Sequence, residues 1–220
     1  RQTLFINMGI MRKHKAILFD FDGVLGMTME DNAHAWEYAL SRHNIRFDKN
    51  EYLLFEGLNT KKVVEHFAGC IEKIRINVED IVKLKEEYYI ENNSFSLYEG
   101  GEALISRLKK EGYLLGLVTA ANYIRLSNTV DSEVISSFNV IITGDKVNNC
   151  KPHPESYLNA ANALSVKPSD CVVVENAPLG IESAKAAGMY CIAVASTLEK
   201  KYLFKANRII NKLSELEGIL

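Results

Sequence analysis

The sequence is short of several things, and each shortage narrows what the chain can be. No apolar run approaches the ~18 residues that a membrane-spanning helix needs. Neither sign of charge dominates: 26 Lys and Arg against 28 Asp and Glu leave a net charge of −2. Such a balance gives no basic footprint for nucleic acid. The four cysteines, Cys70, Cys150, Cys171 and Cys191, contain no CxxC pair. Three of them lie in apolar or strand-like surroundings, where a buried reduced thiol is expected and neither zinc nor a disulfide is. That usage suits a cytoplasmic protein. No internal repeat or low-complexity segment occurs. The apolar stretch Leu4–Ile10 is broken by Asn7 and Gly9 and precedes the basic cluster instead of following it, which is not signal-peptide order. Residues 1–14 are therefore set apart as an N-terminal extension, with Met11 a candidate start.

What remains is an ordinary globular composition, 47% hydrophobic and 25% charged over 220 residues, enough for one large domain or a core with a modest second unit. The most informative stretch is Ala16-Ile17-Leu18-Phe19-Asp20-Phe21-Asp22-Gly23-Val24-Leu25. An apolar run of this kind reads as a buried strand of a parallel sheet. It stops at two carboxylates one residue apart, at the strand end where open α/β sheets place their active sites. Like charges crowded there require a cation or a shared proton.

After this strand the pattern turns helical: Asp31–His43 carries Ala33, Trp36, Ala39 and Leu40 on one stripe, and Tyr52–Phe55, Val63–Phe67 and Val78–Tyr89 continue the spacing. Beyond Asn92 strands and helices alternate. Helices are expected at about Glu102–Glu111 (stopped by Gly112), Glu155–Leu164 and Leu179–Ala187 (closed by Gly188), with one more ahead of Val140. Strands are expected at Leu114–Val118, Val140–Thr143, Cys171–Val174 and Tyr190–Ala195. The pattern predicts an α/β fold, a Rossmann-like parallel sheet made of residues 15–28 and 95–220, with residues 29–94 inserted as an α-helical cap. Its hinges would be Gly26–Met29 and Asn92–Tyr98.

Four polar groups then fall at strand ends or before a helix: Asp20 and Asp22; Thr119, in Val118-Thr119-Ala120-Ala121; Lys151, in Cys150-Lys151-Pro152-His153-Pro154-Glu155; and Glu175-Asn176. Taken singly, Thr119 is a cap, Lys151 a solvated lysine and Glu175-Asn176 a turn. A parallel sheet brings them to one crevice. The chemistry that fits them together is phosphoryl transfer through a carboxylate. Asp20 is the expected nucleophile. Asp22 is the expected general acid and base, a role that needs its pKa raised or poised relative to that of Asp20. The Thr119 hydroxyl, the following backbone N–H of Ala120 and the Lys151 ammonium would hold the transferring oxygens. Magnesium suits a site with few carboxylates and hard oxygen ligands.

With these residues on the page, the chain resembles the haloacid dehalogenase superfamily, in its β-phosphoglucomutase-like phosphatase branch. The resemblance runs from about Lys15 to the C-terminus and is carried by FDFDGVL at Phe19–Leu25, VTAAN at Val118–Asn122, KPHPE at Lys151–Glu155 and VVENAPLGIESAKAAGM at Val173–Met189. It implies that Asp20 and the Asp22 carbonyl ligate magnesium, with Glu175 and Asn176 at the family's further metal positions. Since the second of these is here an amide, metal affinity is expected to be lower than usual. The resemblance also implies that the helical insertion closes over the core and excludes water.

Asp22 argues against a dehalogenase, and no lysine among Lys61, Lys62 and Lys73 is marked as a Schiff base. Against a mutase, Glu56 and Thr60, in Phe55-Glu56-Gly57-Leu58-Asn59-Thr60, stand where similar mutases carry a lysine and an arginine, and Asn32 stands where they carry a histidine. Lys61 and Lys62 would substitute only if the loop shifts. Asn32, Trp36, Glu56, Asn59 and Thr60 are the candidates for substrate selection in the cap.

The expected protein is a monomeric magnesium-dependent phosphatase acting on a small phosphorylated metabolite, plausibly a sugar phosphate. Nucleic acid and membrane are not expected partners. A sugar phosphomutase, or a catalytically weakened binding or regulatory protein of the same fold, is the alternative.

Overall fold

The computed structural model describes residues 14–69 and 77–220; Lys73, Cys70 and the stretch Leu4–Ile10 lie outside them. The chain enters on strand β1 (Ala16–Asp20) and continues as helices α1 (Met29–Ser41), α2 (Lys49–Leu54), α3 (Thr60–Ala68) and α4 (Val78–Asn92). It then runs through α5 (Gly101–Lys110), β2 (Leu114–Val118), α6 (Tyr123–Thr129), α7 (Ser132–Ile135) and β3 (Val140–Ile142). The remainder is α8 (Glu155–Ala163), β4 (Cys171–Glu175), α9 (Pro178–Ala186), β5 (Tyr190–Val194) and β6 (Arg208–Ile210).

The six strands form one sheet in the order β3-β2-β1-β4-β5-β6, and every neighbouring pair is parallel. This is the doubly wound α/β arrangement expected from the alternation. The strands are near-continuous apolar runs because both faces are covered. On one face Ile17, Phe19, Leu115, Leu117, Val172 and Val174 pack with Leu104, Ile105 and Leu108 of α5 and with Leu126 of α6. On the other, Ala16, Leu18, Val118 and Val173 pack with Tyr157, Ala160 and Ala161 of α8 and with Ile181 and Ala184 of α9. The helices α1–α4 have an apolar cluster of their own, with Trp36, Leu40, Tyr52, Val64, Phe67 and Ile81 at its centre.

The two chain segments that join these helices to the sheet are bonded to each other. Met27 N–H donates to Ser96 O and Tyr98 N–H to Leu25 O, and Gly26 pairs with Leu97 in an antiparallel bridge. Between β1 and this neck the chain makes a tight loop, in which the N–H groups of Val24, Leu25 and Gly26 converge on Phe21 O.

Two elements differ from the sequence reading. The segment before β3 is split into α6 and α7, because Val130 and Asp131 leave helical geometry. A sixth strand, β6, appears at the sheet edge; three residues are too few to show a period.

Gly116 shows how tightly the sheet is packed. It lies opposite Leu18 in β1 and Val140 in β3, and a Cβ there would sit 2.6 Å from Leu18 Cδ2 and 3.1 Å from Val140 Cγ1. Gly116→Ala should therefore destabilise the fold by about 1–3 kcal/mol through overpacking, even though alanine is the better strand residue. Urea unfolding measures this, and an unchanged or raised midpoint contradicts it.

Candidate active site

Parallel register brings the polar strand ends together. Asp20 ends β1 opposite Val118, so Thr119 lies one residue beyond it, and Phe19 pairs with Val174, so Glu175 ends the neighbouring strand. Lys151, from the segment before α8, reaches between them. Its Nζ donates to Asp20 Oδ1 at 2.6 Å and to Glu175 Oε1 at 2.6 Å, and all three groups are buried.

Glu175 is fixed by the strand–loop–helix unit around it. Tyr157 Oη donates to Oε1 at 2.8 Å, and the N–H groups of Asn176 and Ala177 donate to Oε2 at 2.9 and 3.2 Å. Gly180, in the first turn of α9, lies flush against this carboxylate, and any Cβ there would overlap it. This is the local reason for a glycine within the Pro178-Leu179-Gly180-Ile181 run. By contrast Asp20 Oδ2, Asn176 Oδ1 and Glu56 Oε2 are buried and have no hydrogen-bond partner.

Asp22 sits in a second network, reached from both the sheet and the helical insertion. Thr28 precedes α1, where a threonine would usually cap the helix. Here its hydroxyl donates to Asp22 Oδ1 at 2.6 Å and makes no cap bond. Asn32 Nδ2 donates to the same oxygen at 3.1 Å. Asp22 Oδ2 accepts from Arg125 Nη2 at 3.0 Å and from Thr119 Oγ1 at 3.4 Å. Arg125, on α6, also bonds Asn32 Oδ1, approaches Glu86 at 3.8 Å and lies over the Tyr89 ring. Lys85, fully buried on α4, donates to Asn32 Oδ1 at 2.9 Å and Glu86 Oε1 at 3.2 Å. Arg125 and Lys85 were not anticipated. Lys85 had a signal: it sits four residues from Ile81 and four from Tyr89, a cation on an apolar stripe.

The electrostatics follow from this geometry. Burial pushes the Asp20 carboxyl well above the usual range; Lys151 pulls against that, and Glu175 adds to it. Burial acts on Asp22 in the same sense, but Arg125, the Thr28 hydroxyl and Lys85 together outweigh it and hold this carboxyl below its ordinary value. The order is the reverse of that expected for a resting general acid: the Asp22 carboxyl is held low and that of Asp20 is raised. The cause is Arg125, a residue 103 positions away in the chain.

The insertion supplies the rest of the surroundings. Glu56 and Thr60 line a cavity of about 20 Å³ together with Asp22, Trp36, Lys85, Ala120 and Arg125. Such a space holds about one water. Trp36 also belongs to the apolar cluster of the insertion. Asn59 Oδ1 accepts the Lys62 N–H and caps α3. Lys61 pairs with the exposed Glu79 at 3.1 Å, so it does not take the place of the missing mutase lysine. Cys150, Cys171 and Cys191 are free thiols, and among the described residues no helix is long and apolar enough to cross a membrane.

The model of the haloacid dehalogenase-like hydrolases matches residues 17–194. The chain belongs to this family. Among its curated relatives it is 30% identical to the validoxylamine A 7'-phosphate phosphatase of Streptomyces hygroscopicus subsp. limoneus, over 92% of this chain and 96% of the relative. It is 29% identical to hexitol phosphatase A of Escherichia coli (strain K12), over 92% of this chain and 93% of the relative. Among solved structures it is similar to β-phosphoglucomutase from Clostridium difficile, with a TM-score of 0.81 and 25% identity, covering 94% of this chain and 95% of that one. This member of the family is thus an enzyme, a phosphoric monoester hydrolase.

The buried Lys85 generates a pH prediction. Burial lowers its pKa from the ordinary 10.5 to about 8, with Arg125 adding to the shift and Glu86 and Asp22 opposing it. Between these values the unfolded chain keeps the proton and the native one has lost it, so this group's contribution to stability rises with pH. Relative to Lys85→Met, the wild type should gain up to about 3 kcal/mol in unfolding free energy from pH 8 to 10.5. Parallel pH profiles for the two proteins would refute this.

Proposed function

We propose that this hydrolase removes the phosphoryl group of a small polyhydroxylated phosphomonoester, a sugar or sugar-alcohol phosphate, through an aspartyl-phosphate on Asp20 and with magnesium. The observation that carries this reading is the state of Asp20. One of its oxygens is held by Lys151, which orients the carboxylate, while the other is buried without a partner.

In the first step the Asp20 carboxylate forms a bond to phosphorus as the bond to the leaving oxygen breaks, and Asp22, carrying the proton that it took from water in the preceding turnover, gives it to that oxygen. Thr119 Oγ1, the Ala120 N–H and Lys151 Nζ hold the remaining oxygens. In the second step water loses a proton to Asp22 and attacks phosphorus, releasing inorganic phosphate and restoring Asp20. Arg125, Thr28 and Asn32 hold Asp22 as a carboxylate, the form that the second step uses.

The unpartnered oxygens of Asp20 and Asn176 fit a hard cation. Asp20, the Asp22 carbonyl, Glu175 and Asn176 would hold magnesium, which supplies charge neutralisation for an anion attacking an anion. The helices α1–α4 act as a cap. A cavity of about 20 Å³ leaves no room for a hexose phosphate, so admission of substrate requires the cap to swing outward and chemistry requires it to return.

Two features favour hydrolysis over mutase chemistry. Glu56, buried at the cavity with Asp22 and Lys85, and Thr60 bring no positive charge to meet a second phosphate. The relatives named for validoxylamine 7'-phosphate and for hexitols support a polyhydroxylated leaving group.

Phosphate release across a panel of phosphorylated sugars, sugar alcohols, simple alcohols and nucleotides, with magnesium and with chelator, tests the reading. Release should require magnesium and fall at least about a thousandfold in Asp20→Asn. Interconversion of β-glucose 1-phosphate and glucose 6-phosphate without release would establish a mutase instead, and silence across the panel would favour a binding protein.

A further inference from the structure

The helical cap sends one carboxylate to the nucleophile. Glu56 lies in the loop between α2 and α3, and this loop is fixed at both ends: Phe55 closes α2 on the Tyr52 carbonyl and Asn59 caps α3. Gly57, next in sequence, has a φ of +97° and lies so close to Lys151 that a Cβ would be 2.9 Å from its Cδ. The close approach holds the loop down on the lysine. Glu56 is thereby buried, with one oxygen each of Asp20, Glu56 and Glu175 all within 4.8 Å of one another.

Acids outnumber cations in this cluster. Three buried carboxylates share the single ammonium of Lys151, which bonds Asp20 and Glu175. Glu56 Oε2 and Asp20 Oδ2 face no donor, and the adjacent Asn176, fully buried and neutral, has an unpartnered Oδ1 as well. Buried charges are tolerated when paired or bound to metal. Unpartnered hard oxygens at this spacing match a small divalent ion, whose oxygen ligands lie about 2.0–2.6 Å from it.

We propose that Glu56 is a cap-borne ligand of the divalent-metal site at Asp20 and Glu175, supplying the negative charge that the neutral Asn176 does not. The metal then ties cap to core in the resting enzyme, and an arriving phosphoryl group displaces Glu56 from the position that it holds. The inference rests on the magnesium-dependent reading above.

Calorimetric titration of the full chain with magnesium alone, without substrate, tests it in the wild type, Glu56→Gln, Glu56→Asp and the double variant Glu56→Gln/Asn176→Asp. Magnesium should bind at least tenfold more weakly to Glu56→Gln, with Glu56→Asp between it and the wild type. The double variant should recover most of the loss, since it returns one charge to the site from the core side. Thermal unfolding in chelator, where Glu56→Gln should melt no lower than the wild type, separates a lost ligand from a damaged fold. Equal magnesium affinity in wild type and Glu56→Gln overturns the inference and leaves the metal-dependent reading standing. A wild type that binds no magnesium at millimolar concentration overturns both.

Discussion

The interaction on which the site depends is the reach of one ammonium between two strand ends. Lys151 bonds Asp20 and Glu175 at the same distance, in a place from which water is excluded. An ion cluster of this kind is a poor source of stability, because desolvation cancels much of the attraction. The apolar strands and their two helical layers supply the stability instead. What the lysine provides is position: it holds the Asp20 carboxylate of β1 and the Glu175 carboxylate of β4 in one frame. Tyr157, the N–H groups of Asn176 and Ala177, and the space left by Gly180 hold Glu175 for the same purpose.

The second network works by alternation of charge. Arg125 stands between Asp22 and Glu86, and Lys85 stands between Glu86 and Asn32. The sheet side contributes Asp22 and Arg125 and the inserted helices contribute Glu86 and Lys85, an acid and a base from each. The charge around Asp22 is in this way set partly from α1 and α4, through Asn32 and Lys85.

The sheet was readable because its signals are local. Apolar runs ending in polar residues mark β1, β2 and β4 within a few positions, and parallel pairing then brings their ends together by topology alone. By that logic Asp20, Thr119, Lys151 and Glu175 fall in one crevice from the sequence pattern alone. What stayed hidden depends on packing between distant segments. Nothing local in Tyr123–Thr129 marks Arg125 as the partner of Asp22, and the direction of the Asp22 shift reversed with it. Glu56 was noticed as an acid where a base is expected, but its proximity to Asp20 follows from the path of the whole cap. The short edge strand β6 carries too few residues to announce itself.

The neck between core and cap has a wider meaning. Because Leu25–Met27 and Ser96–Tyr98 run side by side as an antiparallel pair, the chain leaves and re-enters the sheet domain through points about one strand spacing apart, roughly 5 Å. Strand order does not depend on the length of the chain between them. The neck is thus a socket: the sheet fixes where an insertion begins and ends, and leaves its length open.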